Sequence, residues 1–261
     1  MGKEQNGLND NIYENGTYIN NNPALHAEDS DYKFEYIKKL ISSINFSGNR
    51  IKVLDVGGGA GLIAAKTCRY LTETQGKSVD CHALDISSDI LDVQCANNNY
   101  ISKAMIDIGE AERESGYDLV LLIDVIEHMI EHHEIAEKIN NISRNIIYNI
   151  PIEKNIMDFL RNIYMRGEYY GSQTLSLGHV HFFSSCSAKR FVSLHHKIVD
   201  SIFAEYSGHI LNSNHPDYLV QKSNKLRKLE LKFSHFFYRF FKYFAPFLIQ
   251  GSIFFYVKGR G

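Results

Sequence analysis

The stretch Ile51-Lys52-Val53-Leu54-Asp55-Val56-Gly57-Gly58-Gly59-Ala60-Gly61 decides the reading of this 261-residue chain. Its first six residues are largely apolar and stop abruptly at glycine, the pattern of a strand buried on both faces. The turn that follows needs residues that accept positive φ and let a ligand approach the backbone, and glycine meets both demands. Leu62 to Leu71 then reads as a helix with Ala64, Ala65, Cys68 and Leu71 on its inner face. A glycine-rich turn between strand and helix lies at the carboxyl end of a parallel sheet, where ligands of open α/β folds bind.

The same alternation runs outward in both directions. Upstream, Tyr32 to Ile44 has a helical pattern with Phe34, Ile37, Leu40 and Ile41 on one face. Downstream, Val79–Leu84 reads as a strand and Ser87–Cys95 as a helix capped by Ser87 or Ser88. Asp118–Ile123 is another strand, Glu127–Ile139 a helix, and Asn145–Ile150 a strand stopped by Pro151. Ile198–Phe203 and Ser252–Val257 look like two more strands, and a third strand before Ile106-Asp107-Ile108 is only weakly marked. This β-α rhythm with apolar strands predicts an α/β fold with helices on both faces of a parallel sheet. The expected organisation is an N-terminal segment and cap helix (1–48), a core (49–205), a helical insertion forming a lid over the acceptor pocket (206–250) and a last core strand (251–261).

Two ligand classes fit the loop. Gly59-Ala60-Gly61-Leu62-Ile63-Ala64 matches the dinucleotide pattern G-x-G-x-x-A. Asp55, however, places an acid at the strand end in the spacing Asp-x-Gly-x-Gly-x-Gly, which suits a cationic ligand better than a pyrophosphate. Asp85 ends the next strand about twenty-four residues beyond Gly61, near the distance at which this architecture puts an acid on ribose hydroxyls. The competing role for Asp85 is to cap the following helix.

VLDVGGGAG resembles the first motif of class I S-adenosylmethionine-dependent methyltransferases of small-molecule type. That resemblance implies a Rossmann-like, seven-stranded, mostly parallel sheet whose last strand is antiparallel. It implies that Gly57, Gly59 and Gly61 shape the loop under the methionine part of S-adenosylmethionine, with Asp55 orienting the loop and the cofactor's amino group. It further places Asp85 on the ribose, Ile86 against the adenine and Asp107 at the adenine amino group. Tyr117 to His128 resembles the family's fourth strand and the segment after it, where acceptor meets cofactor, and puts Asp124, Glu127 and His128 at the active-site end of the sheet. The expected activity is methyl transfer to an oxygen, nitrogen or carbon of a small molecule, in bacterial secondary or cell-surface metabolism.

Histidines supply the candidate catalytic groups. His128, and in the segment Gly178-His179-Val180-His181-Phe182-Phe183-Ser184 also His179 and His181, could take a proton from an acceptor hydroxyl, because imidazole titrates near neutral pH. If Glu127–Ile139 is one helix, His128 and His132 share a face, as do Glu127 and Glu131, and Glu127 meets the favourable end of the helix dipole. Asp124-x-x-Glu127-His128 with a distant histidine also resembles the metal-binding arrangement of small-RNA 2′-O-methyltransferases, although that family has Glu where Asp124 stands. The favoured expectation is no metal. A protein that binds cofactor without catalysis is the remaining alternative.

The rest of the chain sets bounds. Twenty-eight basic against thirty acidic residues leave a net charge of −2, which gives no electrostatic reason to expect nucleic-acid binding. Cys68, Cys81, Cys95 and Cys186 show no C-x-x-C spacing, so free thiols in a reducing cytoplasm are expected. The first residues lack the apolar core of a signal peptide. Tyr18 and His26, in a leader resembling one that folds over the cofactor, are candidate cofactor or substrate contacts. Leu226, Leu229, Phe233, Phe236, Phe237, Phe240 and Phe244 recur at three- and four-residue steps, with basic residues mostly elsewhere. Such a stripe over 225–248 packs on its own domain, forms a homodimer or contacts a membrane surface.

Overall fold

The computed structural model describes residues 24–261. Seven strands form one sheet: β1 (Arg50–Val56), β2 (Ser78–Leu84), β3 (Ile101–Met105), β4 (Leu119–Ile123), β5 (Asn145–Ile152), β6 (Lys197–Glu205) and β7 (Gly251–Lys258). Their order is β3-β2-β1-β4-β5-β7-β6. The first five run parallel, and β7 pairs antiparallel with both β5 and β6.

Strand alternation divides the core between the faces. Ile51, Val53, Leu119, Leu121, Phe254 and Tyr256 face one side. There they pack under α1 (Ser30–Ile41) and α2 (Leu62–Glu73), through residues such as Ile37, Leu40 and Cys68. Leu54, Val56, Val120, Leu122, Phe255 and Val257 face the other side. The remaining helices around the core are α3 (Ser88–Asn97), α4 (Ile108–Glu114), α5 (His132–Ile142), α6 (Ile156–Tyr164), α7 (Tyr169–Leu177) and α8 (Ser185–His195). Of these, α5 and α8 cover the second face with Ala136, Ile139, Phe191 and Val192.

Two expectations about local structure are corrected. Glu127 to Ile139 is not one helix. Ile126–His128 forms a single 3-10 turn, Met129 is extended, and α5 begins only at His132. The break follows from Val180 and His181, whose amides donate to the Glu127 carbonyl and tie this turn to a crossing segment. His128 and His132 therefore share no helix face, and Glu127 turns into the core, where it is fully buried. The second correction concerns α1, where Lys33 rather than Phe34 sits on the fully buried face.

Between β6 and β7 lie α9 (Tyr206–Asn212), α10 (Pro216–Ser223), α11 (Lys225–Phe240) and α12 (Ala245–Leu248). Ile210, Tyr218 and Leu231 give them a small core of their own. No residue of 206–250 lines the cleft described next.

Candidate active site

A cleft of about 500 Å³ opens at the carboxyl ends of β1, β2 and β4. That volume falls in the usual range of small-molecule and cofactor sites. Gly57, Gly59, Asp85, Ile86, Asp107, Asp124 and His128 all line it. Residues scattered over seventy positions thus converge, because each follows a parallel strand and is delivered to the same end of the sheet.

Gly57, Gly59 and Gly61 all have positive φ. Gly61 lies behind the cleft as the N-cap of α2, where a Cβ would come within 2.9 Å of the Gln94 backbone. Its lack of a side chain is what allows α2 to pack against α3. The leader closes on the same loop: the Leu25 carbonyl accepts from the Ala60 amide at 3.3 Å, and Leu25 packs with Ala60 and Ile90. His26 follows in left-handed conformation, its ring about two-fifths exposed and 3.9 Å from Glu28. Tyr18 lies outside the described residues.

Asp55 does not line the cleft. It is buried beneath Gly58, and its Oδ2 has no hydrogen-bond partner among the described residues. Burial, reinforced by the nearby Asp85, pushes its carboxyl up to about 7. In the unfolded chain the group titrates near its ordinary value, about 3.9. Its buried charge is thus a full penalty above pH 7, and the penalty disappears as pH falls towards 4 and the folded protein takes up the proton. Asp55→Asn should therefore raise Tm by several degrees at pH 8, for a gain of about 2 kcal/mol, with the difference vanishing near pH 4. Melting curves at the two pH values check this; a variant less stable at pH 8 would show that the carboxylate is needed by the fold.

Asp85 accepts from the Ser87 amide at 3.0 Å and from Gln94 Nε2 at 3.3 Å, and burial pushes it up to about 6. Ser87 itself caps α3, so the cap and the cleft-facing acid are separate residues. Beside it, Ile86 is 61% exposed, an apolar platform at the cleft wall. Asp107 caps α4 by accepting from the Gly109 amide at 2.8 Å and also reaches the cleft.

Three residues that hold the site together escaped the sequence reading. Lys33, reaching from α1, pairs with Asp29 at 2.6 Å and Asp124 at 2.5 Å. Asn149 from β5 donates to the other Asp124 oxygen. Together they hold Asp124 at φ +55°, a conformation Asp tolerates better than most residues. The third is Glu153, which accepts from His179 Nδ1 at 2.9 Å.

Of the three candidate catalytic histidines, only His128 lines the cleft. The His179 ring stands edge-on behind it, with centroids 4.8 Å apart. Burial and the neighbouring His179 push His128 down to about 3, so its imidazole is neutral at physiological pH. Its Nδ1 faces the Gly178 carbonyl at 3.3 Å. His181 instead lies against His132, with centroids 3.9 Å apart, and its Nε2 is buried without a hydrogen-bond partner among the described residues. Glu127 is buried behind the cleft with both oxygens lacking hydrogen-bond partners among the described residues. Burial, with Asp124 and Glu153 nearby, pushes that carboxyl well above the ordinary carboxylate range. One potential ligand atom each from Glu127, His128 and His179 lie within 4.8 Å of one another.

Comparison with known proteins agrees with this geometry. Residues 29–192, well over half of the chain, match the family model described as a methyltransferase domain. No curated protein matches the sequence. The fold is similar to that of phosphoethanolamine N-methyltransferase 2 from Haemonchus contortus in complex with phosphomonomethylethanolamine and S-adenosylhomocysteine. Sequence identity there is 12% and TM-score 0.54, over 87% of this chain and 53% of that one. The chain thus spans about half the length of that enzyme. A methyltransferase from Archaeoglobus fulgidus is similar at 15% identity and TM-score 0.51, covering 88% and 94% of the two chains. Coclaurine N-methyltransferase, bound to N-methylheliamine and S-adenosylhomocysteine, is similar at 13% identity and TM-score 0.51, covering 88% and 70%. At such identities the likeness is one of fold, and the family match carries the assignment. The chain belongs to the methyltransferase domain family.

Proposed function

We propose that the protein methylates an oxygen or nitrogen of a small-molecule acceptor that enters the cleft beside His128. The observation that carries this reading is the position of His128: it is the one candidate histidine on the cleft, neutral, and backed by the His179–Glu153 pair. Gly57 and Gly59 let the methionine part approach the backbone, Asp85 accepts from the ribose hydroxyls, and Ile86 and Asp107 hold the adenine. Asp124, fixed by Lys33 and Asn149, closes the far side. Bound S-adenosylmethionine supplies a sulfonium-activated methyl, which passes to an acceptor lone pair as a neutral thioether leaves. His128 orients the acceptor through a hydrogen bond to Nε2 and takes its proton as the new bond forms. The other contribution is alignment of the two reactants in a site with apolar walls, Ile130 and Ile135 among them. Small-molecule acceptors in the structures of similar fold support this substrate class.

A base held near pH 3 is a weak one, so its removal should sit at the low end of general-base effects, roughly a hundredfold. The test uses S-adenosylmethionine labelled in its methyl group, offered with separated polar and lipid small-molecule extracts. His128→Ala should lower label transfer by that factor while cofactor affinity stays within threefold. Full turnover by the variant would sink the role of His128.

One observation favours a second reading, a divalent cation at Glu127, His128 and His179 that polarises the acceptor. In the His179–Glu153 pair, a carboxylate orients a potential ligand histidine. The same assay separates the readings. A chelator leaves turnover unchanged if His128 acts alone, whereas a metal site predicts loss on chelation, restoration by Mn²⁺, and no restoration in Glu127→Gln.

A further inference from the structure

We propose that the outward face of α11, continued by residues 241–247, is a docking site for an anionic lipid surface. The sequence reading found the stripe but could not tell which side of the helix it occupies. An amphipathic helix in a globular domain ordinarily turns its apolar stripe inward. Here the arrangement is reversed. Leu231 and Ser234 are the buried positions, and Tyr238 donates to the Phe203 carbonyl while His235 Nδ1 bonds Glu205 at 2.7 Å. These four residues hold α11 against β6 and α9. Leu226, Leu229, Phe233, Phe236 and Phe240 point away from the protein, each between 46% and 67% exposed. Phe241, Tyr243, Phe244 and Phe247 prolong the exposed apolar surface. Single exposed apolar side chains are ordinary, but a contiguous row of this size marks an interaction site.

Charge identifies the partner. Residues 225–248 carry six Lys and Arg against one Glu, in a chain whose net charge is −2. At 100° per residue, Lys225, Lys228, Lys232 and Arg239 fall in a row along one edge of the aromatic stripe, and all four are exposed. A groove of about 450 Å³ runs along this edge, between Leu211 and the Phe236 and Phe240 rings, with Lys232 and Arg239 at its wall. Rings that enter the acyl boundary beside cations that meet phosphate headgroups are the chemistry of interfacial binding.

A second copy of the chain fits poorly. A two-fold interface would set this patch against itself, and so Lys and Arg against Lys and Arg. The one acid, Glu230, is already engaged by Arg161 and Arg227. No helix among the described residues is long and apolar enough to cross a membrane, so the contact would be made from the surface.

The test is cosedimentation of the full chain with vesicles of phosphatidylcholine alone or of equal parts phosphatidylcholine and phosphatidylglycerol. Binding should be at least about tenfold stronger on the anionic vesicles and should fall as salt is raised. Phe236→Ser with Phe240→Ser, and separately Lys228→Glu with Lys232→Glu, should each abolish it while cofactor affinity and Tm stay unchanged. All four positions are exposed, so loss of fold is not expected. Equal binding to neutral vesicles, or binding indifferent to both double variants, overturns the proposal. So does a concentration-dependent dimer that the phenylalanine pair disrupts in the absence of any vesicle binding.

Discussion

Gly59→Val should raise the dissociation constant for S-adenosylmethionine by about a hundredfold or more and leave the chain folded. Two effects combine at this position. Gly59 has φ +53°, where a β-branched residue is a genuine outlier, and such strain costs of order 1–3 kcal/mol. Its Cβ would also lie 2.9 Å from the Leu25 carbonyl oxygen, a backbone atom that cannot swing aside as a side-chain tip can. Either the leader lifts off or the loop shifts, and the cleft wall that Gly59 forms is lost in both cases. The loop packs in a small satellite cluster of Leu25, Ala60 and Ile90, separate from the two main cores, so the fold survives. Gly76→Val is the control, since Gly76 has φ +65° in open space away from the cleft. It should lower Tm and leave affinity alone. Calorimetric titration of both variants separates loop geometry from backbone strain, and an affinity within threefold of the native value in Gly59→Val would remove the glycine loop from the binding site.

What the sequence revealed follows from where the physical signal is local. Strand β1, its glycine turn and Asp85 lie within thirty-five residues, and each obeys a periodicity or steric rule readable in one window. Strand β3 was faint because its side chains alternate between half-buried and exposed at the edge of the sheet, so no apolar run marks it. The break after His128 was invisible for a different reason. Met129 and Ile130 are neither glycine nor proline, and the interruption comes from amides at 180 and 181, fifty residues away. The same distance conceals the meeting of His128 with His179. The stripe on α11 was legible as a stripe, yet spacing alone does not say whether it faces core or solvent. Lys33 did leave a local trace: it sits four residues before Ile37 on the apolar side of α1, where a cation needs a partner. One partner, Asp29, lies four residues before it, but the other, Asp124, is ninety-one positions away.

Lys33→Met should accordingly be the most damaging single change outside the core, lowering stability by about 3–5 kcal/mol and Tm by roughly 6–20 °C. Burial alone would pull the Lys33 ammonium down, but Asp124 and Asp29 outweigh it and hold the group well above its usual value. Removing the cation leaves those two carboxylates facing each other in a site only 13% and 22% exposed. Leaving a buried charge unpaired is far costlier than never having had the pair. The variant also frees Asp124 from one of its two anchors, so cofactor affinity falls with stability. Asp29→Asn added to Lys33→Met should recover part of the lost Tm by removing one uncompensated charge, whereas a purely steric defect would not respond. The sign of the pH dependence follows. As pH falls the leftover Asp29 carboxyl, which burial already pushes up, takes on a proton, so the gap between native and Lys33→Met narrows in acid and is widest at neutral pH. A gap that stays constant with pH, or a variant as stable as the native chain at pH 7, would mean that the buried ammonium does not hold α1 to the active site.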